Sequence, residues 1–225
     1  MSLVERYKQL REEGFAPTQA WAQLKSEYTA QFRKRKRKRK QSKDAEQSWK
    51  SASGNAFEDI VRQEFTSQCQ GLKDLRVARC HEIPASLKEP LSERLWVRGE
   101  IQAVTAESNV DFVAYESDPN DAPRRIIAVY SCKVSLRERF QQDLFWAERL
   151  RGRGIRFCFI TLDNDGVLTE AAAEGKLTSK QASMSVAMYD RIYLFCDESE
   201  IQHYTRIFRT VDRLGEDLKR WLELD

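Results

Sequence analysis

Residues 110–139 read VDFVAYESDPNDAPRRIIAVYSCKVSLRER. Side chains alternate along an extended segment, so Asp111, Val113 and Tyr115 share one face of a strand over 110–115. Residues 117–124 are rich in Asp, Asn and Pro and predict a turn. Residues 125–133 carry IIAVY, a β-branched apolar run that predicts a second strand, with Ile127, Val129, Ser131 and Lys133 on one face. A hairpin of the two brings Asp111 and Lys133 to one end of a sheet. A carboxylate there suits Mg²⁺, a hard cation that prefers oxygen donors and keeps several waters. Such an ion polarises a phosphoryl oxygen and lowers the pKa of water. The neighbouring ammonium stabilises charge on a phosphate diester or orients the attacking water.

Outward from this hairpin the chain alternates between helix and strand. A helix is predicted over 136–151. Ser135 and Glu138 have capping-box spacing, while Arg137, Glu138 and Arg139 also have the chemistry of base reading: arginine pairs with guanine O6 and N7, and glutamate accepts from cytosine N4. Strands are predicted over 155–162 and 191–196, helix over 169–182, and one long amphipathic helix over 200–224. A strand–helix–strand unit within one sheet implies a right-handed crossover. Upstream, Phe57, Ile60, Val61 and Phe65 mark the buried stripe of a helix over 51–68, with Glu58 beside that stripe. Residues 75–80 predict a short strand. Pro84 and Pro90 interrupt the segment after it, and Trp96, Val97 and Ile101 read as buried. The fold class is α/β, a mixed central β-sheet flanked by helices, with an N-terminal helical appendage. Domain boundaries are expected at 1–47 for a helical and basic segment and 48–225 for the catalytic domain.

An acid, a hairpin and then a lysine resembles the PD-(D/E)xK nuclease core. The residue before Asp111 is Val110 rather than proline, and the second acid, two residues before the lysine, is replaced by Ser131. This departure resembles the subgroup of type II restriction endonucleases that recognise CCGG or CC/GG-containing sites, in which Ser-x-Lys replaces Asp-x-Lys and Arg-Glu-Arg or Arg-Asp-Arg follows. The stretch SWKSASGNAFEDIV from Ser48 is similar to the BsaWI restriction endonucleases. The resemblance covers roughly residues 48–150. It implies Mg²⁺-dependent cleavage of double-stranded DNA, Arg137, Glu138 and Arg139 as base readers, and Glu58 near the metal. It also implies that the missing acid comes from the helix after Lys133. At the positions where relatives carry that acid this chain has Phe145, Trp146 and Ala147. Asp143 lies on the face of Trp146 and Ala147, whereas Glu148 points about 200° away from Trp146, so Asp143 is taken as the third acid with Glu148 in reserve. The metal shell is then Asp111, Asp143 and Glu58, with Lys133 and Ser131 completing the catalytic set. Palindromic sites are cut by two-fold symmetric proteins, so a homodimer or a dimer of dimers is expected.

At the N-terminus, apolar residues at helical spacing predict a helix over 2–13 and a second one from Pro17, with Trp21, Leu24, Tyr28 and Phe32 as its stripe. The pair is either a helix-turn-helix reader or a helical hairpin packed on the body or on a second subunit; the absence of a recognition face favours the hairpin. Eight cations follow: Arg33, Lys34, Arg35, Lys36, Arg37, Lys38, Arg39 and Lys40. Such runs are usually solvated or disordered, and full engagement with duplex phosphates gives a log–log salt slope of about −7. Residues 41–48 read as a polar connector.

The charge is divided between the two ends. Residues 1–50 hold 14 Lys and Arg against 6 Asp and Glu, while the rest of the chain holds 24 against 29. The arm therefore supplies the positive field for a polyanion. The five cysteines show no paired short spacing, which excludes a zinc module or a disulfide framework and fits a reducing cytoplasm. His81 and His203 lack neighbouring ligands. No run of about 18 apolar residues is present, so no membrane partner is expected. Two further functions fit the same residues: a structure-specific or repair nuclease on this core, or an inactive DNA-binding relative, which the serine at 131 would allow.

Overall fold

The computed structural model describes residues 1–15, 17–39, 45–136 and 140–224, without the side chains of residues 17, 18, 33–39, 45–47, 50, 51, 55, 97 and 224. The elements in chain order are α1 (Leu3–Glu12), α2 (Pro17–Arg39), α3 (Ala45–Gln68), β1 (Leu75–Arg79), β2 (Ser92–Val97), β3 (Glu100–Thr105), β4 (Phe112–Ser117), β5 (Pro123–Lys133), α4 (Phe140–Arg151), β6 (Arg156–Thr161), α5 (Val167–Glu174), α6 (Lys180–Met188), β7 (Arg191–Leu194), β8 (Phe208–Thr210) and α7 (Leu214–Leu224).

Six strands form one sheet in the order β1-β4-β5-β6-β7-β8. The first three are antiparallel and the last four parallel. The change of direction at β5 follows from its connections. A tight turn joins β4 to β5, in which Asp118 Oδ1 accepts from the backbone N–H of Asn120 (2.9 Å) and Ala122 (2.8 Å), the self-capping for which Asp is favoured in turns. The return from β5 to β6 passes through α4, and a helical crossover yields parallel pairing. Strand β5 is buried on both faces, which is why it reads as a near-continuous apolar run.

Helices cover both faces. On one, Val113, Val129 and Phe159 meet Leu144, Trp146 and Leu150 of α4 and Leu168 and Ala182 beyond it. On the other, Phe112, Tyr130 and Tyr193 meet Phe57, Ile60 and Phe65 of α3, with Leu214 and Leu218 of α7. Tyr7, Leu10, Trp21 and Leu24 join that second core, so α1 and α2 pack as a helical hairpin on the body. The mixed sheet with flanking helices is the expected fold class.

Several local expectations are corrected. Register shifts between Ala114 and Tyr115, leaving Ile127 as a bulge residue; Ile127 therefore packs on the α3 side with Tyr130, opposite Val129. Helix α3 begins at Ala45, inside the predicted connector. The basic run continues α2 as helix through Arg39, consistent with the good helix propensity of Lys and Arg; its side chains and Lys40 lie outside the described residues. Leu136, the predicted start of the following helix, lies in a turn, and α4 is described from Phe140. The helix predicted over 169–182 is two helices separated at Gly175, whose φ of 71° ends α5 in the left-handed region. The long helix predicted from 200 is instead a loop, strand β8 pairing with β7, and then α7. Trp96 and Ile101 are 73% and 67% exposed on a separate two-stranded ribbon, not buried.

Helix α7 closes tightly on the end of α3. Gln68 Nε2 donates to Val211 O (3.0 Å) and Gln68 Oε1 accepts from Gly215 N (3.0 Å). A Cβ at Gly215 would stand 2.7 Å from Gln68 O, a clash with backbone that cannot rotate away. Gly215→Ala is expected to lower unfolding free energy by about 1–3 kcal/mol, the usual cost of overpacking. Urea denaturation reads this directly, and an unchanged midpoint would show that the two helices are not held at this separation.

Candidate active site

Asp111 lies immediately before β4, and its backbone extends the sheet: Asp111 N donates to Tyr130 O (2.8 Å) and Asp111 O accepts from Cys80 N (3.1 Å). These two bonds fix the carboxylate at the end of β5. Its Oδ2 accepts from Lys133 Nζ at 2.7 Å and from the backbone N–H of Cys132. The two side chains are 16% and 10% exposed, so the pair is shielded yet open at one margin. Burial alone would lower the Lys133 pKa, but the Asp111 carboxylate more than offsets it and holds the ammonium above the ordinary lysine value. The site therefore favours the charged ammonium of Lys133 over its neutral amine.

Glu58 approaches from α3, on one side of the sheet. Burial and then repulsion from Asp111 raise its pKa, against the attraction of Lys133 and Arg79. Asp143 approaches from α4, on the other side. It is 0% exposed. Ser131 Oγ donates to its Oδ2 at 2.7 Å, and Asn109 Nδ2 donates to its Oδ1 at 3.2 Å. Burial pushes its carboxyl up to about 6, opposed by those two hydrogen bonds and by Lys133. Glu148 is exposed on the opposite face of α4. Asp111, Lys133, Ser131, Asp143 and Glu58 thus converge on one end of β5, and Glu148 does not join them.

Among the described residues no three His, Cys, Asp or Glu side chains form a ready metal cage. The donor set nonetheless fits Mg²⁺, which is held by one or two carboxylates together with water and substrate phosphate rather than by an all-protein cage. The repulsion that raises Glu58 beside Asp111 is the charge that a cation relieves. His81 and His203 are exposed. Arg137, Glu138 and Arg139 lie outside the described residues.

Nothing in the sequence marks Asn109. It is buried, with 3% exposure, and also donates to Gln142 Oε1 (3.3 Å). A lone amide between a serine and an apolar residue reads as a turn, and only the fold brings it to Asp143.

The family model described as BsaWI restriction endonuclease type 2 matches residues 86–219, more than half of the chain. Among solved structures, the specific restriction endonuclease AgeI–DNA complex aligns with a TM-score of 0.52 at 16% identity, covering 80% of this chain and 70% of that one. At that identity the likeness shows the fold. The pre-specific restriction endonuclease BsaWI–DNA complex aligns with a TM-score of 0.49 at 19% identity, covering 90% of this chain and 77% of that one. No curated protein matches the sequence. No helix among the described residues is long and apolar enough to cross a membrane.

The elevated pKa of Asp143 carries a stability consequence in metal-free solution. The folded state binds this proton more tightly than the unfolded chain, so stability is greatest below pH 4 for this group and falls as pH rises to about 6. Asp143→Asn removes that cost and is expected to stabilise the protein by about 1–3 kcal/mol at pH 8, the gain vanishing below pH 4. Thermal melts of both proteins across that range decide it; a variant less stable than the parent at pH 8 contradicts the buried-carboxylate account.

Proposed function

The chain belongs to the BsaWI type 2 restriction endonuclease family of site-specific nucleases, and on that basis we propose that it hydrolyses phosphodiester bonds of duplex DNA with Mg²⁺ at a short palindromic site containing C·G pairs, of the CCGG or CC/GG kind. The observation that carries the reading is the Lys133 ammonium on the Asp111 carboxylate at 2.7 Å, at the open end of the central strand, with a second carboxylate close enough to be destabilised by it.

The residues divide the work. Asp111 would hold the ion, joined by Glu58 from α3 and Asp143 from α4. When bound, Mg²⁺ supplies Lewis-acid polarisation of a phosphoryl oxygen. Lys133 carries a positive charge at the place where negative charge develops on the diester, and such preorganised charge is worth more in a partly dry site than in water. Its three donors also suit it to orient a water for in-line attack. Ser131, spent on Asp143, aims that carboxylate instead of serving as a ligand. Arg137, Glu138 and Arg139 read C·G pairs in the major groove. Residues 33–40 supply sequence-independent phosphate contact. A palindromic target calls for a homodimer or a dimer of dimers, formed by a body spanning 48–225 with 1–47 as its appendage.

Asp111→Ala and Lys133→Ala should each abolish cleavage of plasmid DNA while leaving duplex retardation in gels measurable. Cutting retained by either variant would remove that residue from the site. Arg137→Ala and Arg139→Ala should cost about 1–3 kcal/mol of discrimination at a guanine, seen as relaxed cleavage at near-match sequences. An equal loss of affinity for every sequence would instead make these arginines phosphate contacts.

A further inference from the structure

Strands β2 and β3 stand apart from the six-stranded sheet as a two-stranded antiparallel ribbon, paired from Ser92↔Thr105 to Val97↔Glu100. Arg98 and Gly99 close it with φ of 49° and 90°, the two left-handed residues of the tightest hairpin turns. The left-handed region costs a residue such as arginine about 1–2 kcal/mol, a cost that glycine, or to a lesser degree asparagine, escapes. One face of the ribbon, through Leu95 and Val104, lines a cavity of about 440 Å³ with Asn109, Gln142, Phe145 and Trp146. The other face is exposed, although Arg94 and Ala103 also line a separate cavity with Glu89 and Arg153. It presents Arg94, Trp96, Ile101 and Ala103, with Trp96 directly opposite Ile101. Neither Arg94 nor Arg98 has an ion-pair partner among the described residues.

Two large apolar side chains side by side in water, flanked by free guanidinium groups, are costly unless something covers them. A second copy of the chain fits poorly. The six residues of each ribbon strand span about 20 Å, so one face offers roughly 200 Å², against about 800 Å² per partner in a stable interface. Duplex DNA fits both features, since a two-stranded ribbon enters a groove, apolar wedges pack against or between base steps, and cations meet phosphate. The location agrees. Asp111 lies ten positions after Ile101, at most about 35 Å of chain, or about ten base-pair steps at 3.4 Å each. We propose that the β2–β3 ribbon is a second DNA contact, seating Trp96 and Ile101 in a groove of the duplex flanking the cut and setting Arg94 and Arg98 on its phosphates.

This inference rests on the duplex-DNA reading above, and its test reads binding and cleavage separately. Fluorescently labelled linear phage DNA fragments are titrated with the full-length protein in EDTA, where nothing is cut, and the same preparations are assayed for cleavage with Mg²⁺. Trp96→Ala/Ile101→Ala is expected to weaken binding at least tenfold, with Tm and solution mass unchanged because both residues are exposed. Trp96→Phe, which keeps a flat apolar ring, should stay within about threefold of the parent. Arg94→Ala/Arg98→Ala should flatten the log–log salt slope by about 2, from about 0.9 per phosphate. Parent-like binding by the double apolar variant overturns the ribbon proposal even if the parent cuts DNA. A fall in solution mass with unchanged DNA affinity overturns it by giving the face to a second copy. Loss of binding in the variant when the parent binds but does not cut leaves the ribbon standing and removes the nuclease reading. A parent that binds no duplex removes both.

Discussion

The contact between Lys133 Nζ and Asp111 Oδ2, 2.7 Å long, is the constraint around which the rest of the structure is arranged. Neither residue makes it alone. Asp111 is positioned by backbone pairing to Tyr130 and Cys80, and Lys133 by the last rung of the longest strand, paired with Thr161 of β6. The pair therefore needs an antiparallel neighbour on one side of β5 and a parallel one on the other. That requirement accounts for the mixed sheet, since the tight turn supplies the first neighbour and the crossover through α4 the second.

The two helical layers then deliver one carboxylate each. Glu58 comes from the α3 side and Asp143 from the α4 side, and both have raised pKa values because burial and repulsion from Asp111 disfavour their charge. Their treatment differs. Asp143 is fully buried and held by Ser131 and Asn109, whereas Glu58 is half-buried on the rim. A carboxylate kept in the core at an energetic cost, beside a lysine that stays charged, is the kind of local conflict that folded proteins retain at functional sites. The serine at 131 belongs to the same arrangement. A hydroxyl there supports an acid arriving from the helix, where an acid on the strand would crowd it.

Much of this was legible in sequence because it rests on short-range periodicity. Alternation over 110–115 and 125–133 gave the hairpin and the meeting of Asp111 with Lys133. The 100° step of a helix separated Asp143, turned inward, from Glu148, turned to water. What escaped depends on longer-range partners. Ile127 changes faces through a single bulge that leaves no mark in composition. Ile201, Tyr204, Ile207, Phe208 and Val211 satisfy a helical spacing, yet residues 208–210 pair with β7, and a strand that short shows no alternation of its own. Trp96 and Ile101 look like any β-rich buried pair, since nothing local states that the second face of their ribbon meets solvent. Asn109 reaches Asp143 across 34 residues, a contact that only the packed fold reveals.

We propose that this margin of the sheet cuts duplex DNA with a divalent ion at defined sequences. Digestion of phage DNA by the purified protein, with Mg²⁺ and with EDTA, tests it most directly. The expected result is a reproducible set of discrete fragments with Mg²⁺, whose ends share one sequence containing C·G pairs, and intact DNA with EDTA. Retardation of the DNA without cleavage, or breakage at unrelated sequences, would contradict it.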